Sequence, residues 1–255
     1  MDNEEIKQIY EKLVSGIRDY FSKNNFSKAV IGISGGIDSA LSAKLVVDAI
    51  GKENVHALLM PLKGLSSEET IKDAVEFCTL NGISYSLIFI NEFVDEFKKL
   101  EWKQNKIAKM NTASRIRAVI LYNYANTHDA LVIGTSNKTE IMLGYFTKYG
   151  DGAVDIEVIG DLFKTEEIEV AKFLKLPEKI INKTPTAELY HGQTDEDELG
   201  LKYDEIDKIL KAYVSESSAQ KIIEDGISKE KVEKIFSLIE KNKHKGDMPS
   251  VLKIS

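Results

Sequence analysis

Apolar and polar residues follow one another along the first half of the chain in a regular succession of helix-like and strand-like patterns. Within residues 4–21, apolar side chains recur every three or four positions, which predicts one amphipathic helix. Short apolar runs bounded by Gly, Pro or polar residues follow, and such runs are typical of buried strands. The predicted strands are residues 29–33, 55–60, 83–90 and 130–133. The predicted helices between them are residues 39–50, 66–80 and 111–126, the second of which opens on a capping box of Ser66 with Glu69.

Strands that alternate with helices predict a parallel sheet covered by helices on both faces, which is an α/β, Rossmann-like fold. Beyond about residue 160 the strand pattern fades. The helices predicted there are residues 165–175, 203–213 and 228–242. The acidic segment 194–198 is predicted to be a solvated surface loop, since charge runs usually are, and the alternative is a loop that becomes ordered when ligand binds. We therefore expect residues 1–255 to form one domain, a Rossmann-like core with a helical C-terminal part.

Composition and charge narrow the class of protein. No apolar run approaches the roughly 18 residues of a membrane-spanning helix, and residues 1–5 are acidic, unlike a secretory signal, so we expect a cytoplasmic protein with no membrane partner. The formal net charge of −7 argues against a broad nucleic-acid-binding surface. The single cysteine, Cys78, excludes an internal disulfide, and its place on an apolar helix face predicts a buried thiol rather than a nucleophile.

The strongest chemical signal is the segment Gly-Ile-Ser-Gly-Gly-Ile-Asp-Ser, where the first strand turns into a helix. Ligands of open α/β sheets bind at this end of the strands, and glycines, hydroxyls and helix N-terminal N–H groups can hold phosphate oxygens. The loop has neither the lysine of a Walker A motif nor a Gly-x-Gly-x-x-Gly pattern. The candidate ATP contacts are Gly32, Ile33, Ser34, Gly35, Gly36, Ile37, Asp38 and Ser39.

Asp38 gives this phosphate loop (residues 32–39) its particular chemistry. A carboxylate would repel phosphate unless a divalent cation lay between them, which makes Asp38 a candidate Mg²⁺ ligand. A plain turn, with Asp38 and Ser39 serving as a helix cap, is the structural alternative. The full set of serines, glycines and aspartate after a buried strand favours the functional interpretation.

The pattern Ser-Gly-Gly-x-Asp-Ser resembles the pyrophosphate-binding loop of the N-type ATP pyrophosphatases, which cleave ATP between its α- and β-phosphates to adenylylate a substrate. The further matching segments are residues 133–140, 144–152, 160–165, 184–189 and 244–245. In this order and spacing they resemble the ammonia-dependent NAD synthetase family along nearly the whole chain. The resemblance implies that the nicotinic acid carboxylate of deamido-NAD attacks the α-phosphate of ATP, after which ammonia displaces AMP to give NAD.

The same resemblance assigns roles to individual residues. Asp38 and Glu140 would hold a Mg²⁺ ion that bridges the ATP phosphates, and Lys164 would neutralise the charge that develops on them. Asp38 and Lys164 are thus the predicted catalytic residues. Thr135 and Thr186 match positions that bind ATP. The residues that match deamido-NAD contacts are Arg115, Lys148, Asp155, His244 and Lys245.

Several of these residues have a structural alternative. Glu140 taken alone would be a solvated helix carboxylate, and Arg115 or Arg117 could form surface ion pairs. Asp151 is predicted to shape a turn, whereas Asp155 is the preferred ligand contact. Residues 244–245 precede Gly-Asp where many relatives carry another basic residue, and residues 136–139 depart from the Asp-His-Ala-Ala of one branch of the family.

The resemblance further implies a homodimer with deamido-NAD at its interface. The helices at 4–21 and 113–126 could supply that interface, although each could equally pack within one chain. No glutaminase domain is expected, so the nitrogen donor would be ammonia. Segments 62–68 and 187–200 are predicted to close over the substrate.

Two other functions remain open at this stage. A different ATP pyrophosphatase, such as a tRNA-modifying enzyme, is disfavoured by the lone Cys78 and the acidic charge. A non-catalytic ATP sensor is disfavoured by the pairing of Asp38 with Glu140, because a sensor needs no metal clamp on a leaving group.

Overall fold

The computed structural model describes residues 1–186, 194–215, 219–224 and 226–254. The strands in these ranges are β1 (Lys28–Gly32), β2 (Val55–Leu59), β3 (Ser84–Leu87), β4 (Ala130–Gly134) and β5 (Ile156–Glu157). The helices in the first half of the chain are α1 (Asn3–Lys23), α2 (Ile37–Ile50), α3 (Glu68–Asn81), α4 (Asn91–Glu96) and α5 (Lys106–His128). The later helices are α6 (Lys138–Leu143), α7 (Lys164–Phe173), α8 (Glu178–Ile181), α9 (Asp195–Leu199), α10 (Tyr203–Val214), α11 (Ala219–Glu224) and α12 (Lys229–Asn242).

The five strands form one sheet in the order β3-β2-β1-β4-β5, and every neighbouring pair is parallel. The chain leaves β1 for β2 on one side, whereas β4 lies against the other side of β1. The strand order therefore reverses between β1 and β4, and a crevice opens beyond the carboxyl ends of these two strands. This topology confirms the predicted Rossmann-like α/β fold.

Helices cover both faces of the sheet. Because successive side chains of a strand point to opposite faces, neighbouring residues of one strand belong to different cores. Ala29 and Ile31 of β1 belong to a core that includes residues of α1, α2, α3 and α7. Val30, between them, belongs to a second core with residues of α5. A third apolar cluster joins α6, α9, α10, α11 and α12 and forms the helical C-terminal part.

The long elements agree with their predicted bounds to within a few residues. An exception is α5, which starts at Lys106 because the side chain of Asn105 caps it and accepts a hydrogen bond from the Ala108 N–H at 2.8 Å. Cys78 is fully buried, as predicted, and burial raises the pKa of its thiol to about 11. Within the described residues, no helix combines the length and apolar character that a membrane crossing requires.

Two local predictions are wrong. The cap of α3 is Ser67 rather than Ser66, because the Ser67 hydroxyl accepts from the Thr70 N–H at 3.0 Å while Ser66 belongs to the turn that starts at Leu62. The acidic segment 194–198 is not a solvated loop but lies largely in α9, which Thr194 caps. Asp195 is only 5% exposed.

The pairing of Asp195 explains how a carboxylate can be buried there. It accepts hydrogen bonds from the hydroxyls of Tyr203 at 3.0 Å and Tyr145 at 3.3 Å. A buried charge that is hydrogen-bonded on both oxygens is tolerated, whereas an unpaired one is not. Tyr145 lies 50 positions before Asp195 and Tyr203 lies outside the acidic segment, so the charge pattern alone gave no sign of these donors.

The amphipathic face of α1 packs within its own chain. Ile6, Val14, Ile17 and Phe21 are all buried in the core of the sheet. Of the two uses left open for this helix, the structure shows the intramolecular one. Helix α5 differs, because Val119 near its middle is 68% exposed.

Candidate active site

The phosphate loop lies at the carboxyl end of β1 and is braced by its own serines. The Ser39 hydroxyl accepts from the Ser34 N–H at 3.2 Å and contacts the Gly36 carbonyl at 3.1 Å, while the Gly36 N–H donates to the Ser34 hydroxyl at 3.2 Å. The last three residues of the loop form the start of helix α2 at Ile37, so that the positive end of this helix faces the crevice. The loop is thus shaped before any ligand arrives.

Gly35 shows why this turn requires glycine. Its φ is +82°, a conformation that other residues rarely adopt. A Cβ at this position would also lie 2.7 Å from the carbonyl oxygen of Thr70. The start of α3 therefore packs directly against the back of the loop.

Asp38 and Lys164 meet at the base of this loop, although 126 positions separate them. Lys164 Nζ lies 2.7 Å from Asp38 Oδ1 and 3.2 Å from Glu167 Oε2. Asn137 donates from Nδ2 to the same Asp38 oxygen at 2.9 Å and to Glu167 at 3.3 Å. Lys164 and Glu167 are fully buried, whereas a quarter of the Asp38 side chain is exposed.

The pKa values of this cluster follow from its charges. Burial alone would raise the pKa of Asp38, but the Lys164 ammonium and hydrogen bonds from three side chains outweigh burial and lower the pKa. Burial would lower the pKa of Lys164, but the carboxylates of Asp38, Glu167 and Glu140 outweigh it and raise that pKa. Burial and the nearby charge of Asp38 raise the pKa of Glu140 and Glu167 well above the usual range. The cluster holds more potential negative charge than one ammonium compensates.

Glu140 reaches the crevice from the β4 side. Helix α6 starts just after β4, and Asn137 caps it by accepting from the Glu140 N–H at 2.9 Å. The Glu140 carboxylate in turn accepts from the Asn137 N–H at 3.1 Å, which completes a capping box. Residue Asn137, one of the four that departed from the other branch of the family, therefore links Asp38 and Glu140 directly.

A cavity of about 460 Å³ opens above these residues. The predicted ATP and metal residues on its wall are Gly32, Ile33, Ser34, Gly36, Ile37, Asp38, Ser39, Thr135, Glu140 and Thr186. Gly35 and Lys164 are not on the wall; Gly35 lies within the loop, and Lys164 lies beneath it in contact with Asp38. The predicted ATP contacts thus converge on one space.

The predicted deamido-NAD contacts are more dispersed. Lys245 lines the cavity, with Nζ donating to the carbonyls of Gly144 and Phe146. Arg115 is exposed and donates to the Lys148 carbonyl at 3.2 Å, and the Lys148 ammonium donates to the carbonyls of His244 and Asp247. Arg115, Lys148 and His244 therefore form one surface group outside the cavity wall, and their contact with ligand stays a prediction.

Asp155 occupies a position between strands rather than on the cavity wall. Its carboxylate accepts from the Val132 N–H at 2.7 Å and from the Tyr122 hydroxyl at 3.2 Å. Asp151, predicted to shape a turn, accepts from the Thr147 N–H at 3.1 Å and also contacts Ser114. Both aspartates have a structural role here, and ligand contact by Asp155 stays a prediction.

Sequence reasoning missed a buried brace behind the site. The Asp207 carboxylate of α10 accepts from the Thr139 hydroxyl and from the Thr165 N–H at 2.8 Å, and the Thr139 hydroxyl accepts from the Lys164 N–H at 3.0 Å. Asp207 therefore joins the starts of α6 and α7, which carry Glu140 and Lys164.

Glu167 was missed as well, and Arg117 was named without a role in the site. Glu167 lies three residues after Lys164, a spacing that is typical of ion pairs on the surface of a helix. The structure shows instead that both side chains of this pair are buried. Arg117 lines the cavity and donates to the Met60 carbonyl at 2.9 Å.

Two segments were predicted to close over the substrate. In segment 62–68, a turn joins Leu62 to Ser66, whose N–H donates to the Leu62 carbonyl. In segment 187–200, residues 187–193 lie outside the described part of the chain.

Fold and site together define an α/β protein with a cavity at the switch point of a parallel sheet and a carboxylate–lysine pair at the base of the phosphate loop. A model of the NAD synthase family matches residues 9–249. The chain therefore belongs to the NAD synthase family.

Individual relatives agree with this assignment. The NH3-dependent NAD synthetase of Archaeoglobus fulgidus is 42% identical over 250 residues, which cover 97% of each chain. Among solved structures, the NMN synthetase of Francisella tularensis matches with a TM-score of 0.87 and 32% identity, over 98% of this chain and 99% of that one. The NH3-dependent NAD synthetase of Campylobacter jejuni matches with a TM-score of 0.84 and 35% identity, over 99% and 100%.

Proposed function

We propose that the chain catalyses the ATP-dependent amidation of deamido-NAD by ammonia, the last step of NAD biosynthesis, and releases AMP and pyrophosphate. The observation that carries this proposal is the meeting of Asp38 and Lys164 beneath the phosphate loop, with Glu140 on the same cavity wall. The ammonia-dependent relatives, which match this chain over nearly its full length, support ammonia as the nitrogen donor.

The residues present fit a Mg²⁺ ion. Asp38 and Glu140 both line the cavity, and the surplus of carboxylates around the single Lys164 ammonium suits a divalent cation. Within the described ranges no cluster of three or more metal-binding side chains occurs, so the remaining ligands would be phosphate oxygens and water, the shell that Mg²⁺ prefers. When bound, the ion would offset charge on the ATP phosphates and favour departure of pyrophosphate.

The chain's own residues would act around that step. The hydroxyls of Ser34 and Ser39, with N–H groups at the start of α2, would hold the β- and γ-phosphates. The substrate carboxylate forms a bond to the α-phosphorus while the bond to the bridging oxygen breaks, and its electron pair leaves with pyrophosphate. Lys164 would stabilise the negative charge that builds up on the phosphates, without giving up its proton. Thr135 and Thr186 line the same cavity and would donate hydrogen bonds to ATP.

The second half of the reaction requires the dinucleotide to lie beside the adenylate. We assign deamido-NAD binding to Arg115, Lys148, Asp155, His244 and Lys245. Ammonia would attack the acyl carbon and release a proton to solvent, and the carbon–oxygen bond to AMP would break with its electron pair leaving on AMP. We further propose a cytoplasmic homodimer in which α5 lies at the interface. Support for the dimer comes from exposed apolar side chains in and near α5, which are Trp102, Ile107 and Val119.

A second substrate is favoured by one specific finding. The solved structure of an NMN synthetase matches this chain with a TM-score of 0.87. Nicotinic acid mononucleotide carries the same carboxylate on the same ring as deamido-NAD, so the chemistry at the α-phosphate would be unchanged. The site could therefore amidate the mononucleotide as well.

One assay tests these proposals together. Purified protein with Mg²⁺, ATP and ammonium is given either deamido-NAD or the mononucleotide, and NAD, NMN, AMP and pyrophosphate are quantified. We expect NAD formation with one AMP and one pyrophosphate for each NAD, and far slower turnover with glutamine in place of ammonium. AMP release that does not depend on either nucleotide would contradict the proposed substrate, and a preference for the mononucleotide would favour the second candidate.

A further inference from the structure

Lys183 contributes a cation to the phosphate loop from a distant part of the chain. It lies two residues after the end of α8 and lines the cavity. Its Nζ is 2.7 Å from the Thr70 hydroxyl and 3.4 Å from the Gly35 carbonyl oxygen. It therefore touches the phosphate loop and the start of α3, which packs against that loop.

The partners of Lys183 differ from those of the other lysines nearby. Lys164 is compensated by the carboxylates of Asp38 and Glu167. Lys179, one turn before Lys183, pairs with Asp73 and Glu76 at 2.7 Å each. Lys183 instead contacts a hydroxyl and a carbonyl, and within the described ranges it forms no ion pair. Because no neighbouring carboxylate in those ranges offsets the positive charge of Lys183, this charge can attract an arriving anion.

The phosphate loop needs such a charge. It carries no lysine of its own, and its Asp38 is negative. Among the described residues, Arg117 and Lys245 also line the cavity, where Arg117 donates to Met60 after β2 and Lys245 donates to carbonyls after α6. Lys183 contacts the loop itself. A lysine on a flexible four-carbon stem can also move a few ångströms to reach a phosphate oxygen.

We infer that Lys183 is a further catalytic residue, whose ammonium moves from the Thr70 hydroxyl to the β- and γ-phosphate oxygens and stabilises pyrophosphate as it leaves. This inference rests on the proposed function. Lys183 gives up no proton in this step: the bond from the α-phosphorus to the bridging oxygen breaks, and the electron pair stays on a pyrophosphate whose charge Lys183 offsets. It would serve this loop as the Walker A lysine serves a P-loop.

Steady-state kinetics of Lys183→Met, Lys183→Arg and the control Lys179→Met test the inference. For Lys183→Met we expect kcat/KM for ATP to fall by about a hundredfold, at the lower end of the range for the loss of one preorganised contact to a transition state. Inhibition by added pyrophosphate should weaken in parallel, while KM for deamido-NAD stays within about twofold. Lys183→Arg should recover part of the loss, and Lys179→Met, which removes a charge outside the cavity, should match wild type.

A binding measurement separates this inference from the proposed function. Calorimetric titration of Mg²⁺ and inorganic pyrophosphate into each protein needs no turnover, so it applies even if NAD formation fails. Weaker pyrophosphate binding by Lys183→Met alone would support the role. Wild-type affinity for pyrophosphate in that variant would overturn it. An equal loss of ATP and deamido-NAD affinity together with a lower melting temperature would also overturn it, since that is the signature of a structural residue.

Discussion

The two halves of the proposed site are built in opposite ways. In the ATP half, Lys164 and Glu167 are buried, and Asp38 is held by both Lys164 and Asn137. The proposed dinucleotide half lies mostly on the surface, where Arg115 and Lys148 donate to main-chain carbonyls. Opposite charges hold the cluster of Asp38, Lys164 and Glu167 together in the first region, whereas neutral main-chain groups hold Arg115 and Lys148 in the second.

The difference corresponds to the chemistry proposed for each half of the site. Cleavage of ATP needs charges already aimed at the position where charge develops, because reorienting them during the reaction would cost part of the rate enhancement. Recognition of a flexible dinucleotide can instead use long side chains that exchange carbonyl contacts for ligand contacts. Substitutions in the buried half should therefore change kcat and stability, and substitutions in the exposed half should change KM.

The largest effect is expected from Asp38→Asn. Loss of the metal-binding carboxylate should lower kcat by roughly 10²–10³-fold, comparable to the removal of one preorganised electrostatic group from other active sites. NAD formation at saturating substrates, measured over a range of Mg²⁺ concentrations, checks this. Asp48→Asn is the matched control, since Asp48 lies on the same helix and also pairs with a lysine, Lys44. A loss below threefold in Asp38→Asn would contradict the metal-ligand role.

Lys164→Met should reduce both stability and activity. It leaves Asp38 and Glu167 in a buried site without their cation, and breaking a buried ion pair typically costs about 3 kcal/mol or more. Urea unfolding monitored by circular dichroism measures the change. Lys172→Met on the same helix is the control, because its pair with Glu169 is exposed. Equal stability of the two variants would show that the buried cluster is not held together as described.

Glu157→Gln should change how stability depends on pH. Burial raises the pKa of Glu157 to about 7, so between its unfolded value near 4.5 and about 7 the folded state retains a proton that the unfolded state has released. Stability therefore falls as pH rises through this window and stays lower above it. Between pH 5 and 8, the free energy of unfolding of Glu157→Gln should fall by roughly 2 kcal/mol less than that of wild type. Denaturant melts at several pH values test this.

The exposed Glu92 supplies the control for that experiment. Glu92→Gln removes a carboxylate from the surface and should follow the wild-type pH curve. If Glu157→Gln also follows it, then Glu157 does not hold a proton in the folded state.

Arg115→Ala is expected to have the smallest effect and the most selective one. KM for deamido-NAD should rise about tenfold while kcat and KM for ATP stay within about twofold, because only uniform binding is removed. Arg18→Ala is the control, since Arg18 is also exposed and donates to main-chain carbonyls, those of Asp48 and Ala49. If KM for ATP rises as much as KM for deamido-NAD, the two halves of the site are not separate.

Much of the fold followed from local patterns. The strands β1, β2 and β4 were predicted within one or two residues because short apolar runs between turn residues have few other structures available. The two-residue β5 was missed, since Ile156 and Glu157 carry no run that could be recognised. The cap at Ser67 was misplaced by one residue because either serine could open the helix by local spacing alone.

Some residues of the candidate site could also be predicted from local sequence patterns, whereas others could not. The glycines, serines and Asp38 of the phosphate loop could be found because they occupy nearly consecutive positions. Residues that follow one another in a single turn lie close together in any fold. Glu167, Asp207 and Lys183 could not be found in this way. Each acts through a partner that lies far away along the chain or through burial that no local pattern reveals.

The sequence by itself determined the class of fold, the phosphate loop and, through the order of its motifs, the family. Those properties reside in short segments whose geometry is set by backbone preferences and hydrophobic periodicity. Only the tertiary structure decided which charges compensate one another: that Asp38 and Glu167 share Lys164, that Asp195 is buried, and that Lys183 keeps a charge beside the loop. The energy of a charge depends on its distance from other charges and from water, and these distances are fixed only when the chain is folded.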